Sequence, residues 1–262
     1  MSLKRIIRFL DKLLFAGILD RLKNNYSLKK TVRQHKKSLE FLFNYYPYLN
    51  KIYHTKKNNL SYLCEFYGSD KGYLDFEKKT PYGWKAHTYT DFYSTLFDHC
   101  RDSIKLVFEC GIGTNDPTLP STMTSNGRPG ASLKVWKNYF FNANIYGADI
   151  DKRILFNEDR IKTFFVNQLD KDSIEIMWKN INQNNFDLII DDGLHTYESG
   201  VNLFLHSFQK LKKNGIYIIE DVHSSYLKKM TDKLEKYKPS IVILESKLKF
   251  YTDNNIIVFR KD

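Results

Sequence analysis

The chain has 262 residues, 42% of them hydrophobic and 15% aromatic, with 41 Lys and Arg against 30 Asp and Glu. That composition excludes a disordered, collagen-like or disulfide-stapled chain, and the length leaves room for one large or two small globular domains. The formal charge of +11 lies entirely in residues 1–60, which hold 14 basic and 3 acidic residues; the remainder holds 27 of each, so charge alone implies no nucleic-acid partner.

The first elements in chain order are helical. Ile6, Leu10, Leu13, Leu14, Ile18 and Leu22 recur at helical spacing with Lys4, Arg5, Arg8, Lys12 and Arg21 between them, a basic amphipathic helix. A second helical stretch spans Leu28 to Tyr45 and stops near Pro47. Residues 1–60 are therefore expected as a basic helical arm packing on the core or on a second subunit of a homo-oligomer, with weak association with a membrane surface as the other use of such a helix. Asp11, Lys12 and Asp20 interrupt the apolar start and no small-residue cleavage site follows, so a signal peptide is not expected. No run reaches the ~18 apolar residues that span a bilayer. Cys64, Cys100 and Cys110 form an odd set without CxxC spacing, which points to a reducing, cytoplasmic setting.

From about residue 86 short β-branched runs alternate with helical stretches, the pattern of a mostly parallel sheet covered on both faces. Strands are expected at Lys105 to Cys110, Asn144 to Asp149, Thr163 to Val166, Phe186 to Asp191, Gly215 to Glu220, Ile241 to Leu244 and Ile256 to Phe259. Helices are expected at His87 to His99, Ser132 to Tyr139, Asp151 to Arg160, Ser173 to Ile181, Tyr197 to Lys212 and Ser224 to Tyr237. The result is a doubly wound α/β domain over residues 61–262 with seven strands, whose ligand crevice lies beyond the carboxyl ends of the strands where their order reverses.

Acidic residues stand at five of those strand ends: Glu109, Asp149, the region of Asp170, Asp191 with Asp192, and Glu220 with Asp221. After the first strand, Gly111 and Gly113 permit a tight turn, but Asp116 and Pro117 stand where the third glycine of a dinucleotide fingerprint and its helix would be. Asp149, 36 residues beyond Gly113, is placed to take both hydroxyls of a ribose. Together these favour an adenosine-containing cofactor and disfavour a nicotinamide-dependent oxidoreductase. Two adjacent acidic doublets would repel one another, and oxygen ligands from neighbouring strand ends suit a hard cation such as Mg²⁺; zinc is disfavoured for want of a thiolate. His195, three residues after Asp192, overlooks the same cluster and is the candidate general base.

YGSDKG (67–72), HTYTDFY (87–93), FECGIGTNDP (108–117), RPGASLKVW (128–136), IYGADID (145–151), IIDDGLH (189–195) and IIEDVHSSY (218–226) together resemble the metal-dependent sugar O-methyltransferases of the macrocin and mycinamicin type. These are class I, Rossmann-like enzymes that use S-adenosylmethionine, and the resemblance covers about residues 60–230. It implies that Glu109, Gly111 and Gly113 form the methionine side of the cofactor site, that Asn115 also binds the cofactor and that Asp149 holds the ribose. It further implies that Ser69, Asp70 and Lys71 fold over the cofactor, that Ser132 touches it, that Asp192, Glu220 and Asp221 bind Mg²⁺, and that His195 is the base. Asp191 could replace Asp192 as ligand. Leu194 departs from the serine that the family usually has after the glycine.

The expected reaction is methylation of a sugar hydroxyl. A basic arm could attract a diphosphate, which points to a nucleotide-activated sugar such as a GDP-linked heptose or hexose for surface polysaccharide; a glycosylated natural product is the alternative acceptor. A nucleic-acid methyltransferase is disfavoured, since neither an [DN]PP[YFW] motif nor a catalytic cysteine pair is present.

Overall fold

The computed structural model describes residues 51–53, 57–73, 80, 82–244 and 253–262. Of the basic arm expected over residues 1–60, residues 1–50 and 54–56, and with them the expected membrane and subunit contacts, lie outside the described residues. Nine strands form one sheet: β1 (Lys51–Tyr53), β2 (Leu106–Cys110), β3 (Asn144–Asp149), β4 (Asn157–Glu158), β5 (Ile161–Phe165), β6 (Phe186–Asp191), β7 (Leu211–Ile219), β8 (Ser240–Leu244) and β9 (Asn255–Arg260). Their order is β1-β8-β9-β7-β6-β2-β3-β5-β4, parallel except where β9 runs between β7 and β8 and where β4 pairs with β5. The helices are α1 (Asn59–Tyr67), α2 (Tyr89–Phe97), α3 (Ala131–Tyr139), α4 (Lys171–Ile181), α5 (Tyr197–Ser207) and α6 (Ser224–Lys233).

The seven expected strands are all present, and two short edge strands are added. Lys51–Tyr53, expected as the end of the helical arm, instead pairs in parallel with Val242–Leu244; it follows Pro47, and its β-branched and aromatic residues suit a strand. The helix expected over Asp151 to Arg160 is not formed. Asp151 caps a single 3₁₀ turn, Lys152–Ile154, and Arg160 takes a left-handed backbone (φ 56°) that turns β4 back onto β5. Thr163 fastens that hairpin through the Phe156 amide, 2.5 Å from its hydroxyl, and by donating its own amide to Asn157 Oδ1. The helix after Tyr197 stops at Ser207 rather than Lys212, because Leu211 already belongs to β7.

Both faces of the sheet are covered. Val107, Ile145, Leu188, Ile190 and Ile218 share one buried cluster with Leu60, Tyr93 and Trp136 from α1, α2 and α3. On the other face Phe108 meets Trp178 of α4 at 4.6 Å between ring centroids, and Phe259 meets Phe204 of α5 at 4.2 Å. Parallel strands buried on both sides are mostly apolar, which is why β2 and β6 read as hydrophobic runs with an acid at or next to their carboxyl ends. Asp187, the polar residue early in β6, is buried and accepts the amides of Lys105 and Leu106. No helix among the described residues is long and apolar enough to cross a membrane.

The chain leaves β2 in one direction through β3 and β5, then returns to lay β6 and β7 on the other side. The order reverses at β2, so the loops after β2 and β6 diverge and open a crevice between them.

Candidate active site

Three backbone hydrogen bonds extend the ladders one residue past the strands: Gly111 to Ala148 (2.8 Å), Asp192 to Cys110 (2.8 Å) and Glu220 to Asp191 (2.9 Å). They place the first residues beyond β2, β6 and β7 side by side. Gly111 has φ 86°, and a Cβ there would lie 2.0 Å from the carbonyl oxygen of Asp192, so only glycine lets the two loops approach. Above them lies a cleft of about 610 Å³.

One wall belongs to β2 and β3. Asp149 accepts the amides of Ile112 and Asp151, each at 2.9 Å, and faces the cleft with Ser69 and Ser132. Burial raises the Asp149 carboxyl above the usual carboxylate range against the pull of those amides. Asp151 in turn accepts Thr114 Oγ1 at 2.6 Å and Arg153 Nε at 2.7 Å. Asn115, expected at the cofactor, instead donates to the carbonyls of Thr124 and Gly127 and staples its own loop; it does not line the cleft. Glu109 lies beneath the floor, fully buried, accepting Ser132 Oγ at 2.5 Å.

The other wall is a network of carboxylates at the ends of β6 and β7. Lys71, only 2% exposed, sends its ammonium to Glu109 (3.0 Å), Asp192 (2.6 Å) and Glu220. It sits beneath the cleft rather than folding over a ligand in it. Tyr93 donates to the remaining oxygen of Glu220 at 2.6 Å. Asp221 accepts the Tyr89 hydroxyl and stands 3.5 Å from His87 Nε2. His195 Nε2 lies 3.3 Å from Asp192 Oδ1 and 3.7 Å from Asp221 Oδ2. Both His195 (φ 60°) and Asp221 (φ 51°) hold a left-handed backbone, which costs about 1 kcal/mol or more for a residue with a side chain.

Asp192 stands between the other two acids expected at the ion, sharing Lys71 with Glu220 and His195 with Asp221. Among the described residues two groups can bring three ligand atoms within 4.8 Å of one another, and they share Asp192: an inner one of Glu109, Asp192 and Glu220, and an outer one of Asp192, His195 and Asp221. Lys71 touches all three members of the inner group, and all three members of the outer group line the cleft. The two members of the first doublet face different ways. Asp191 points away, its carboxylate taken by Gln168 Nε2 at 2.6 Å, while Asp192 faces Lys71 and His195. Gln168 also accepts the Leu194 amide at 2.7 Å, so the loop is held through its backbone at the position where the family has serine.

The electrostatics fit a divalent cation. One ammonium faces three carboxylates, and the negative charge left over is buried. Burial pushes the Glu220 carboxyl up to about 8, with Lys71 pulling it down and Asp192 and Glu109 adding to the rise. Burial pulls the His195 imidazolium down, but Asp221, Asp192 and Asp191 outweigh it and raise the group to about 10. Burial also opposes the charge on Asp192, yet Lys71 and His195 hold that carboxylate at about 2. Hard oxygens carrying uncompensated charge at the edge of a cleft are the donor set that Mg²⁺ takes.

His87, Tyr89, Tyr93 and Gln168 are site residues that motif reading did not assign. The first three sit in HTYTDFY, with Tyr89 and Tyr93 one helical turn apart on a single face of α2; Gln168 follows β5 without any motif.

No family model matches the chain. It is 34% identical over 143 residues to the 8-demethyl-8-alpha-L-rhamnosyl tetracenomycin-C 2'-O-methyltransferase of Streptomyces olivaceus, covering 55% of this chain and 35% of that protein. It is 34% identical over 145 residues to the L-olivosyl-oleandolide 3-O-methyltransferase of Streptomyces antibioticus, covering 54% and 34%. It is 30% identical over 174 residues to the mycinamicin VI 2''-O-methyltransferase of Micromonospora griseorubida, covering 66% and 38%. The chain thus spans little more than a third of the length of these relatives. Among solved structures, the MycE methyltransferase of the mycinamycin biosynthetic pathway, in complex with Mg, SAH and mycinamycin VI, superposes with a TM-score of 0.55 at 22% identity. That match covers 79% of this chain and 56% of that one.

Proposed function

We propose that this chain, which carries the class I methyltransferase fold of MycE, transfers a methyl group from S-adenosylmethionine to a sugar hydroxyl with the help of Mg²⁺. The observation that carries the reading is one cleft with two unlike walls: Asp149 and the glycine turn on one side, Asp192, His195 and Asp221 on the other. Sugar O-methyltransferases among the similar proteins support the same class of acceptor.

When bound, S-adenosylmethionine would supply an electrophilic methyl group and Mg²⁺ a positive charge that acidifies the acceptor hydroxyl. Asp149 would hold the ribose, and the backbone of Gly111 and Gly113, where a Cβ would collide with the Asp192 carbonyl or with Met123, would let the cofactor lie close to the chain. Asp192, Glu220 and Asp221 would hold the cation, the two aspartates from the cleft lining and Glu220 from beside Lys71. His195 is placed to take the hydroxyl proton at Nε2, a nitrogen without a hydrogen-bond partner and set between the two aspartates. With both aspartates bare, that imidazole keeps its proton at neutral pH; with their charge neutralised it is free to act as a base.

The lining favours a glycoside over a nucleotide-activated sugar. Asp70, Asp149, Asp192, Asp221 and Asp253 line the cleft, and Arg128 is the one Lys or Arg side chain among its described lining residues. A diphosphate would meet repulsion there, whereas the hydroxyls of a neutral sugar can donate to these carboxylates. The test is incubation with S-adenosylmethionine, Mg²⁺ and matched panels of neutral glycosides and nucleotide sugars, with mass spectrometry for the gain of one methyl group. Methylated glycoside is the expected product, lost in EDTA and restored by Mg²⁺; full activity in chelator removes the cation from the reaction. Binding of NADH in place of S-adenosylmethionine in calorimetry would overturn the reading.

A further inference from the structure

Among the described residues that line the cleft, Trp84 is the one Phe, Tyr or Trp side chain, and the proposed reaction gives it no task. It comes from the segment between α1 and α2, ahead of the alternating strands and helices that carry most of the site. Its surroundings hold it in place. The indole Nε1 donates to Asp70 Oδ2 at 3.0 Å, and Thr80 Oγ1 donates to the Trp84 carbonyl. Tyr82, only 1% exposed and not itself a lining residue, packs against the indole with ring centroids 5.0 Å apart. With its N–H taken by Asp70 and Tyr82 beside it, what the indole offers the cleft is an apolar π surface.

That surface adjoins the carboxylate wall. The Asp70 carbonyl accepts the His87 amide at 2.7 Å, and His87 Nε2 stands 3.5 Å from Asp221 Oδ1. Asn254 Oδ1 lies 3.1 Å from His87 Nδ1, which brings its neighbour Asp253 to the same end of the cleft. A pyranose is amphipathic: hydroxyls line its edge, and ring C–H groups, made positive by the neighbouring oxygens, cover its faces. The C–H face meets the negative face of an indole, and the hydroxyl edge meets carboxylates. Resting on the sugar methyl-transfer reading above, we propose that Trp84 is the platform on which the acceptor sugar lies, with Asp70 and Asp253 accepting hydroxyls at its edge. Trp84 is thereby a specificity-determining residue: it selects a sugar with an uninterrupted C–H face, since an axial hydroxyl aimed at the indole would hold the rings apart.

The test uses the full chain, neutral methyl glycosides with methyl α-L-rhamnopyranoside among them as acceptor probes, and S-adenosylhomocysteine as cofactor probe. The other two tryptophans, Trp136 and Trp178, are buried, so a change in tryptophan fluorescence on adding glycoside reports on Trp84. The change is expected in the wild type and should vanish in Trp84→Leu. That variant stays apolar but loses the π face, so its acceptor KM should rise by about tenfold or more with kcat little altered. Its affinity for S-adenosylhomocysteine should match the wild type. So should its affinity for Mn²⁺, a stand-in for Mg²⁺ followed by the electron paramagnetic resonance of the free ion. Trp84→Phe should recover part of the loss in KM, which a merely structural residue would not show. Lost cofactor affinity with an unchanged acceptor KM would assign the indole to the cofactor, and no change in either would leave it without a role. Both results overturn the inference and leave methyl transfer standing. No methylation of any glycoside by the wild type overturns the sugar reading and this one together. If Trp84→Leu lacks native circular dichroism, the wild-type fluorescence titration and Trp84→Phe are held to the same outcomes.

Discussion

The two walls of the cleft are built by different means. On the β2 and β3 side Asp149 and Asp151 find partners two or 37 residues away: Asp149 takes the amide two residues on and that of Ile112, and Asp151 takes Thr114 and Arg153. On the β6 and β7 side the partners of the carboxylates are Lys71, Tyr89 and Tyr93, between 121 and 149 residues away in the chain. A wall of such shorter-range contacts is set once β2 and β3 have paired. A wall of remote contacts is set only when α1, α2 and the sheet have come together, so its geometry reports on the packing of the whole domain. The first suits an invariant cofactor; the second allows charge to be adjusted where chemistry occurs.

The comparison breaks most visibly at His195. His195→Ala should lower kcat by about 10²- to 10⁴-fold, the range of a general base, while S-adenosylmethionine affinity in calorimetry stays as in the wild type. A parallel collapse of cofactor affinity would show that the walls are one unit. The next largest effects come from a matched pair. Asp149→Asn should weaken S-adenosylmethionine by about tenfold or more, the worth of a charge-assisted hydrogen bond, and leave Mn²⁺ binding alone. Asp221→Asn should do the reverse. If both variants weaken both ligands, the division between the walls is wrong.

The same division explains what the sequence made legible. Periodicity located all seven central strands, because buried strands leave short, largely apolar and β-branched runs between helical stretches. It missed β1 and β4, which are three and two residues long and owe their existence to an edge partner rather than to their own pattern. Reading Asp151 to Arg160 as a helix failed because a cap on Asp151 and a left-handed Arg160 outweighed helical spacing. Strand-end acids could be read because topology sends every carboxyl end to one crevice. Which oxygen meets which cation could not: Lys71 looked like a residue facing the cofactor, and Glu220 and Asp221, neighbours in sequence, turn to different partners. Asn115 shows the opposite error, a polar residue in a glycine turn that serves its own loop.

Gln168 stands where the walls meet, at the end of β5 but bonded to the loop after β6. Gln168→Leu keeps the volume roughly and removes both side-chain hydrogen bonds, leaving one oxygen of Asp191 and the Leu194 amide without their partner. Stability to urea should fall by about 3 kcal/mol, from two buried groups left unsatisfied. The loop that carries Asp192 and His195 should loosen, so kcat falls with little change in S-adenosylmethionine affinity. A selective loss of cofactor affinity would place Gln168 with the β3 wall instead.

The smallest expected effect isolates one remote partner. Tyr93 is fully buried, its ring set against Trp136 at 4.9 Å and its hydroxyl on Glu220. Tyr93→Phe keeps the ring and its packing and deletes one hydrogen bond to a carboxylate whose other oxygen remains on Lys71. The cost should be about 1 kcal/mol, the net worth of one hydrogen bond whose acceptor is not orphaned. If the loss instead exceeds that of Gln168→Leu, the carboxylate wall hangs on α2 more than on its own loops. The packing of that helix would then be what sets the charge arrangement at the cleft, and Tyr93→Phe should shift Mn²⁺ affinity together with stability.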